Sequence, residues 1–365
     1  MLCVGGLILN AVVTDTASGL PAPSATSSTQ SAEHDTSVPN QKLLSSLSAE
    51  DGLNSAHKTE YKLTVDHTST SPTRKLVAPP GVIIQQDVAY LPADRAEKLD
   101  LYLPEHRAAI ARSPAILNIH GGGWSGGDKA GRREYVSCCA LAAHGYVCVS
   151  VEYMKKEGRR WPTNLHDCKN AVRWLRVNAD RLQVDPDRIG VIGGSAGGHL
   201  AMMVAYTSKV PELEPASPYP GISNQVTACV NLYGIANVAT RQGTDKQGVP
   251  DGKIRNVSAL FPETLAEAPE KWKRASPVTY VTRDCPPTLT IHGTGDTTVD
   301  RDQAHELNRL LTEHGVEHEY IELPGVGHAF ALDASSLPRD LRPEMIAFFD
   351  KHLSSTAALI RNTAD

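Results

Sequence analysis

No apolar run in the 365 residues is long enough to span a bilayer as a mature helix, and no stable membrane span is expected. There is no basic run either, and a formal charge of −5 gives no electrostatic reason to expect nucleic acid. None of the seven cysteines stands in a C-x-x-C pair, and most sit in apolar stretches. Zinc ligation is therefore not expected, buried free thiols are the default, and the odd count weakens a fully paired disulfide framework. Gly121 to Lys129 contains no G-x-x-x-x-G-K-[ST], and no G-x-G-x-x-G follows a strand, so neither a phosphate loop nor a dinucleotide site is read here. No cofactor and no metal are expected. With only four Phe and eleven Tyr, no large lipid-binding face is marked. Internal repeats are absent.

What is present is enough for a proper core, at 41% hydrophobic residues. Residues 2–13 look like the apolar centre of a secretory signal, with the small residues Thr16, Ala17 and Ser18 behind them. The usual basic start is missing. The expectation is a signal segment over 1–20 and export to the periplasm or the exterior, with a cytoplasmic protein as the alternative. Residues 21–80 are rich in Ser, Thr, Pro and Ala with almost no aromatics, a composition that buries too little to offset its ordering entropy. They are expected to be a disordered linker, followed by one domain over 81–355 and a tail over 356–365.

Within the domain, strand and helix patterns alternate. Val82 to Tyr90 and Leu99 to Leu103 look like an antiparallel edge pair with one wet face. Buried strands are expected at 115–119, 146–151, 226–232 and 287–291, and a further strand at 318–323. Helices are expected at 132–144, 164–180, 301–314 and 338–353. Residues 234–275 have no consistent period and suggest an excursion across one end of the sheet. This order predicts an α/β fold, a mostly parallel sheet covered on both faces, with its ligand crevice beyond the carboxyl ends of the strands.

One such end carries Gly193-Gly194-Ser195-Ala196-Gly197, a G-x-S-x-G between a strand pattern and an Ala- and Met-rich helix pattern. A sharp strand-to-helix corner strains the residue at its apex and requires very small neighbours, leaving the serine hydroxyl exposed. The alternative is a glycine-rich loop with a solvated serine, so the motif needs partners elsewhere in the chain. A serine hydroxyl is a weak nucleophile until a neutral imidazole takes its proton, and a carboxylate must fix that imidazole's tautomer. Asp296 follows the strand at 287–291 and His328 follows the strand at 318–323. Asp300 and Asp302 also lie near, but suit the start of the next helix. His120, His199 and His292 suit structural hydrogen bonds. Ahead of these, His120-Gly121-Gly122-Gly123-Trp124 follows another strand. The amides of Gly122, Gly123 and Ala196 are candidates for an oxyanion hole, because glycine lets N–H groups face a pocket unobstructed.

Together these motifs resemble the α/β-hydrolase superfamily, and more narrowly the HGGG-type esterases related to hormone-sensitive lipase and to bacterial feruloyl and acetyl-xylan esterases. The resemblance covers roughly residues 82–353. It rests also on Gly127-Asp128-Lys129, Ala171 to Arg176, Asp185 to Ile189, and the residues around Asp296 and His328. It implies hydrolysis of carboxylic esters through an acyl-enzyme, with Ser195, Asp296 and His328 as the triad and no metal or cofactor. The N-terminal helical cap usual among hormone-sensitive-lipase relatives is replaced here by the Ser- and Thr-rich stretch, so any lid must come from 234–275. Small-molecule or carbohydrate-linked esters with short acyl groups are favoured over triglycerides. An aryl-formamide hydrolase of the kynurenine formamidase type and a catalytically silent binding protein are the alternatives. The oligomeric state is left open.

Overall fold

Apolar side chains on both faces of nearly every strand decide the architecture, because such strands are stable only with helices packed on each side. The computed structural model describes residues 75–106, 112–155, 160–244, 250–254 and 260–354. The expected signal segment, the linker up to residue 74 and the tail lie outside the described residues. The described chain opens with β1 (Val82–Val88), β2 (Leu99–Pro104), β3 (Ser113–Ile119), α1 (Arg132–Ala143) and β4 (Val147–Val151). Next come α2 (Thr163–Val177), α3 (Ala179–Leu182), β5 (Val184–Gly194), α4 (Ala196–Tyr206) and β6 (Ala228–Leu232). After β7 (Gln242–Thr244), β8 (Pro250–Ile254) and α5 (Pro269–Arg274), the series closes with β9 (Thr288–Gly293), α6 (Asp302–Glu313), β10 (His318–Leu323) and α7 (Arg342–Leu353).

The main sheet has eight strands in the order β1-β2-β4-β3-β5-β6-β9-β10. β2 pairs antiparallel with β1 and with β4, and every pairing from β4 to β10 is parallel. Alternate residues sort onto the two faces. Leu117, Val149 and Val191 join the core under α2 and α4, including Leu165, Val172 and Leu200. Their neighbours Ile116, Cys148 and Ile192 join the core under α1 and α7, including Leu141, Phe348 and Phe349. The mostly parallel, doubly covered sheet expected from the pattern is what forms.

Several local expectations change. β2 has no wet face: all its residues are buried, Leu99, Leu101 and Leu103 in the core on the α2/α4 side and Tyr102 in the core on the α1/α7 side. The polar residue that made it look half-exposed, Asp100, is fully buried and paired with Lys129 at 2.7 Å. The alternating wet face belongs to β1. The helix expected over 164–180 breaks at Asn178, where the backbone leaves helical angles before α3. α7 begins at Arg342 rather than 338, with Pro343 in its first turn where a missing N–H costs nothing. Residues 75–80, assigned to the linker by composition, touch the domain. Leu76 packs on the α1/α7 side and Tyr135 donates its hydroxyl to Val77 O at 2.8 Å.

The aperiodic stretch 234–275 contains a two-stranded antiparallel hairpin, β7 with β8, and then α5. Trp272 of α5 packs edge-on to Phe261 with ring centres 5.3 Å apart, and both join the core on the α2/α4 side of the main sheet. No helix among the described residues is long and apolar enough to cross a membrane.

Candidate active site

The corner between β5 and α4 is as tight as its glycines suggest. Ser195 takes φ 58° and ψ −125°, a left-handed-side conformation that a side-chain-bearing residue adopts only under constraint. A Cβ on Gly193 would stand 2.2 Å from Gly197 O, and one on Gly197 would stand 2.1 Å from Ile119 O. Only hydrogen at both positions lets α4 start this close to β5 and to the end of β3.

The structure brings together Ser195, Asp296 and His328, from three different strand ends. His328 Nε2 lies 2.9 Å from Ser195 Oγ, and His328 Nδ1 lies 2.6 Å from Asp296 Oδ2. Asp296 is held on its other side by the amides of Thr298 and Val299, which donate to Oδ1 at 2.9 Å each. Burial pushes the Asp296 carboxyl up. Hydrogen bonds from His292 and His328 outweigh that and hold it well below the usual carboxylate range. The carboxylate is therefore ionised at neutral pH and anchors the Nδ1–H tautomer of His328. Tyr233 packs its ring edgewise on His328 at 4.8 Å. Its hydroxyl donates to Phe330 O at 2.7 Å, which pins the loop carrying the histidine. Asp300 and Asp302 stay at the start of α6, where Asp300 Oδ1 accepts from Asp302 N.

The glycine loop after β3 faces the same space. Gly122 has φ +112° and its carbonyl accepts from the amides of Ser125 and Gly126, closing a tight turn. The amides of Gly122, Gly123 and Ala196 donate to no backbone acceptor among the described residues. Gly122 and Gly123 line a cavity of about 550 Å³ together with Ser195 and His328. Ala196 is not in its wall; it opens α4 directly behind the serine, with its side chain buried.

The three remaining histidines near motifs have structural partners. His120 meets Glu152 Oε1 at 2.9 Å and stacks on Tyr153 at 4.2 Å. His199 accepts from Trp124 Nε1 at 3.1 Å and donates to Ala275 O at 2.6 Å, and burial holds it down to about 4, so it is neutral. His292 donates to Val299 O at 2.9 Å.

Sequence reasoning missed the residues that brace these parts. Glu152 stands directly after β4, a strand end like the others, and ties His120 to Lys155. Burial pushes the Glu152 carboxyl up, but the bonds to His120 and Lys155 prevail and lower it. Arg133 lines the cavity from α1, donates to Tyr233 Oη at 3.0 Å and pairs with Glu134. Arg241 reaches the cavity from the aperiodic stretch, where no sequence signal marks it. Cys138, Cys139, Cys148, Cys168 and Cys229 are buried free thiols. No group of three or more His, Cys, Asp or Glu among the described residues is placed to hold a metal ion.

Comparison with known proteins agrees with this geometry. The family model described as BD-FAE matches residues 99–311. Esterase LipC of Mycobacterium tuberculosis is 35% identical over 221 residues, 60% of this chain and 54% of LipC, so the chain spans little more than half of that relative. A truncated carbohydrate esterase from gut microbiota is similar in structure, with TM-score 0.65 at 24% identity, covering 75% of this chain and 97% of that one. An acetyl ester-xyloside bifunctional hydrolase from Caldicellulosiruptor lactoaceticus gives TM-score 0.58 at 25% identity, with 70% and 88% covered.

Proposed function

The chain belongs to the BD-FAE family, with an α/β-hydrolase fold, and from that premise we propose that it is a serine carboxylic-ester hydrolase. It acts through an acyl-enzyme on short-chain or sugar-linked esters of the acetyl and feruloyl kind. The observation that carries the reading is the unbroken chain Ser195 Oγ, His328 Nε2, His328 Nδ1, Asp296 Oδ2, with contacts of 2.9 and 2.6 Å, opening beside free glycine amides.

The chemistry follows from the protonation states. Ser195 Oγ attacks the ester carbonyl as its proton passes to His328 Nε2, and ionised Asp296 stabilises the imidazolium. The amides of Gly122, Gly123 and Ala196 take the negative oxygen that forms. A preorganised donor of this kind contributes about 2.7–4 kcal/mol to the transition state. The tetrahedral adduct collapses, His328 gives its proton to the leaving alcohol, and the acyl group stays on Ser195. Water, deprotonated by the same Nε2, then attacks the acyl-enzyme and releases the acid.

Two features support a small, polar substrate. The cavity of about 550 Å³ falls within the range of small-molecule sites. Its wall carries His120, Asp128, Arg133, Glu134 and Arg241, polar side chains able to orient a hydroxylated substrate. The likeness to an acetyl ester-xyloside hydrolase points the same way.

The test compares wild type with Ser195→Ala on 4-nitrophenyl esters from acetate to palmitate. Wild type should favour the shortest acyl groups, and the variant should lose about 10⁴–10⁶-fold in kcat. A folded variant retaining a tenth of the activity, or a preference for palmitate, would overturn the reading.

A further inference from the structure

Among the charged groups of the cavity wall, Arg241 is a cation with no counter-ion bonded to it among the described residues. It is only 4% exposed, yet its Nε and Nη1 have no hydrogen-bond partner there. Its guanidinium lies over the indole of Trp124 with 5.5 Å to the ring centre, directly after the oxyanion glycines. The acids nearby are committed elsewhere. Glu134 is paired with Arg133, and Asp296 is occupied by His328 and the amides of Thr298 and Val299. Asp128 is exposed and accepts from Ala130 N. His199, under Trp124, is neutral and uses both ring nitrogens. Burial lowers the Arg241 guanidinium to about 10, which still leaves it charged at neutral pH.

With only an indole face and the field of the Asp296 carboxylate to favour its charge, this buried guanidinium lacks hydrogen-bond acceptors, a cost that a ligand would relieve. Its planar fork matches the two oxygens of a carboxylate, and stacking on an indole fixes that plane. We propose that Arg241 is an anion subsite beside the oxyanion loop, and that the preferred substrates are esters carrying a carboxylate near the scissile bond. The proposal rests on the esterase reading above. The carboxylate sits either on the acyl group, as in a dicarboxylic acid half-ester, or on the alcohol, as in an acylated uronic acid.

Two substrate pairs separate these sources. One is 4-nitrophenyl hemiglutarate against 4-nitrophenyl valerate, corrected for spontaneous hydrolysis. The other is an acetylated methyl glucuronate against the equally acetylated methyl glucoside. In wild type, kcat/KM should favour the charged member of at least one pair by about tenfold or more, as expected for a charge-assisted hydrogen bond. Arg241→Gln should bring that ratio to about one or below, and Arg241→Lys should retain part of it. A ratio within one variant is insensitive to how much of it is folded, and a structural role for Arg241 would not change it. Should both variants fail to fold, glutarate should inhibit wild-type hydrolysis of the valerate ester about tenfold more strongly than glutaramide.

Wild-type ratios near one in both pairs, a preference untouched by Arg241→Gln, or equal inhibition by glutarate and glutaramide overturns the subsite. Ser195-dependent turnover of the neutral esters without any anionic preference defeats this proposal alone. No turnover of any ester defeats the esterase reading with it.

Discussion

Replacing Asp296 by asparagine changes one oxygen to an NH₂, and the structure dictates which one. Oδ1 accepts two backbone amides, from Thr298 and Val299, both at 2.9 Å. An NH₂ there would set donors against donors and lose both bonds, so the asparagine carbonyl takes that position. The NH₂ is then forced toward His328 Nδ1, 2.6 Å from the present Oδ2, while His292 Nε2, 3.3 Å from that oxygen, keeps its bond to Val299 O. His328 can meet a donor only as an acceptor at Nδ1, which moves its proton to Nε2. That nitrogen faces Ser195 Oγ at 2.9 Å and would now present a hydrogen to the hydroxyl it must deprotonate. The geometry survives while the tautomer is wrong. In a triad of this kind the same substitution lowers kcat by about 10⁴, which is about 5.4 kcal/mol at ~1.36 kcal/mol per decade. The assay is kcat and KM on 4-nitrophenyl butyrate at pH 7.5, with circular dichroism to establish folding. KM should change little. A folded Asp296→Asn enzyme within tenfold of wild-type kcat would refute the argument.

Gly197→Ala puts a methyl 2.1 Å from Ile119 O and 2.5 Å from His120 O, so α4 must move off the oxyanion loop. Urea unfolding should show a loss of about 1–3 kcal/mol, the usual range for overpacking, and turnover should fall with it; an unchanged midpoint and rate would count against the close approach. Lys129→Met leaves Asp100, fully buried, without its partner at 2.7 Å. The expected cost is about 3–5 kcal/mol by equilibrium unfolding at pH 7.5, and a cost below about 1 kcal/mol would show that the pair is not a buried charge pair. His199 titrates near 4 in the fold, because burial opposes its charge, against about 6.5 in the unfolded chain. The unfolded chain thus takes up the proton first as pH falls, so the stabilisation is complete above 6.5 and is lost on the way down to 4. The unfolding free energy of wild type minus that of His199→Gln should shrink by about 3 kcal/mol over that window; a difference that does not vary with pH would contradict it.

The parts of the site that could be read in advance are those whose requirements are local in the chain. A serine at a strand-to-helix corner needs glycine within two residues on either side, so Gly193 and Gly197 advertise Ser195. A donor loop with a left-handed turn needs glycine at Gly122 and Gly123. Asp296 and His328 were legible because parallel strands deliver their carboxyl ends to one crevice, so a carboxylate and an imidazole at successive strand ends converge. The braces around them were not legible. Tyr233 holds the His328 loop through Phe330, far along the chain, and Arg133 reaches Tyr233 from α1. No spacing rule connects such pairs. Arg241 lies in a stretch without period, and its place in the cavity comes from the excursion that carries it.

Periodicity in the amino-acid sequence thus determined most of the strands and helices outside 234–275 and that both faces of the sheet are covered, while glycine motifs and strand ends marked where the reactive side chains stand along the chain. Those properties depend on backbone sterics and on burial of each element taken singly. Tertiary structure decided the strand order that puts β4 between β2 and β3, and the packing on both faces that buries β2 and Asp100. It also decided the 2.6 and 2.9 Å contacts of the triad and the unpartnered guanidinium nitrogens of Arg241. A pattern of apolar residues states that a face must be covered; only the packed chain determines by what, and which polar group is left facing the cavity.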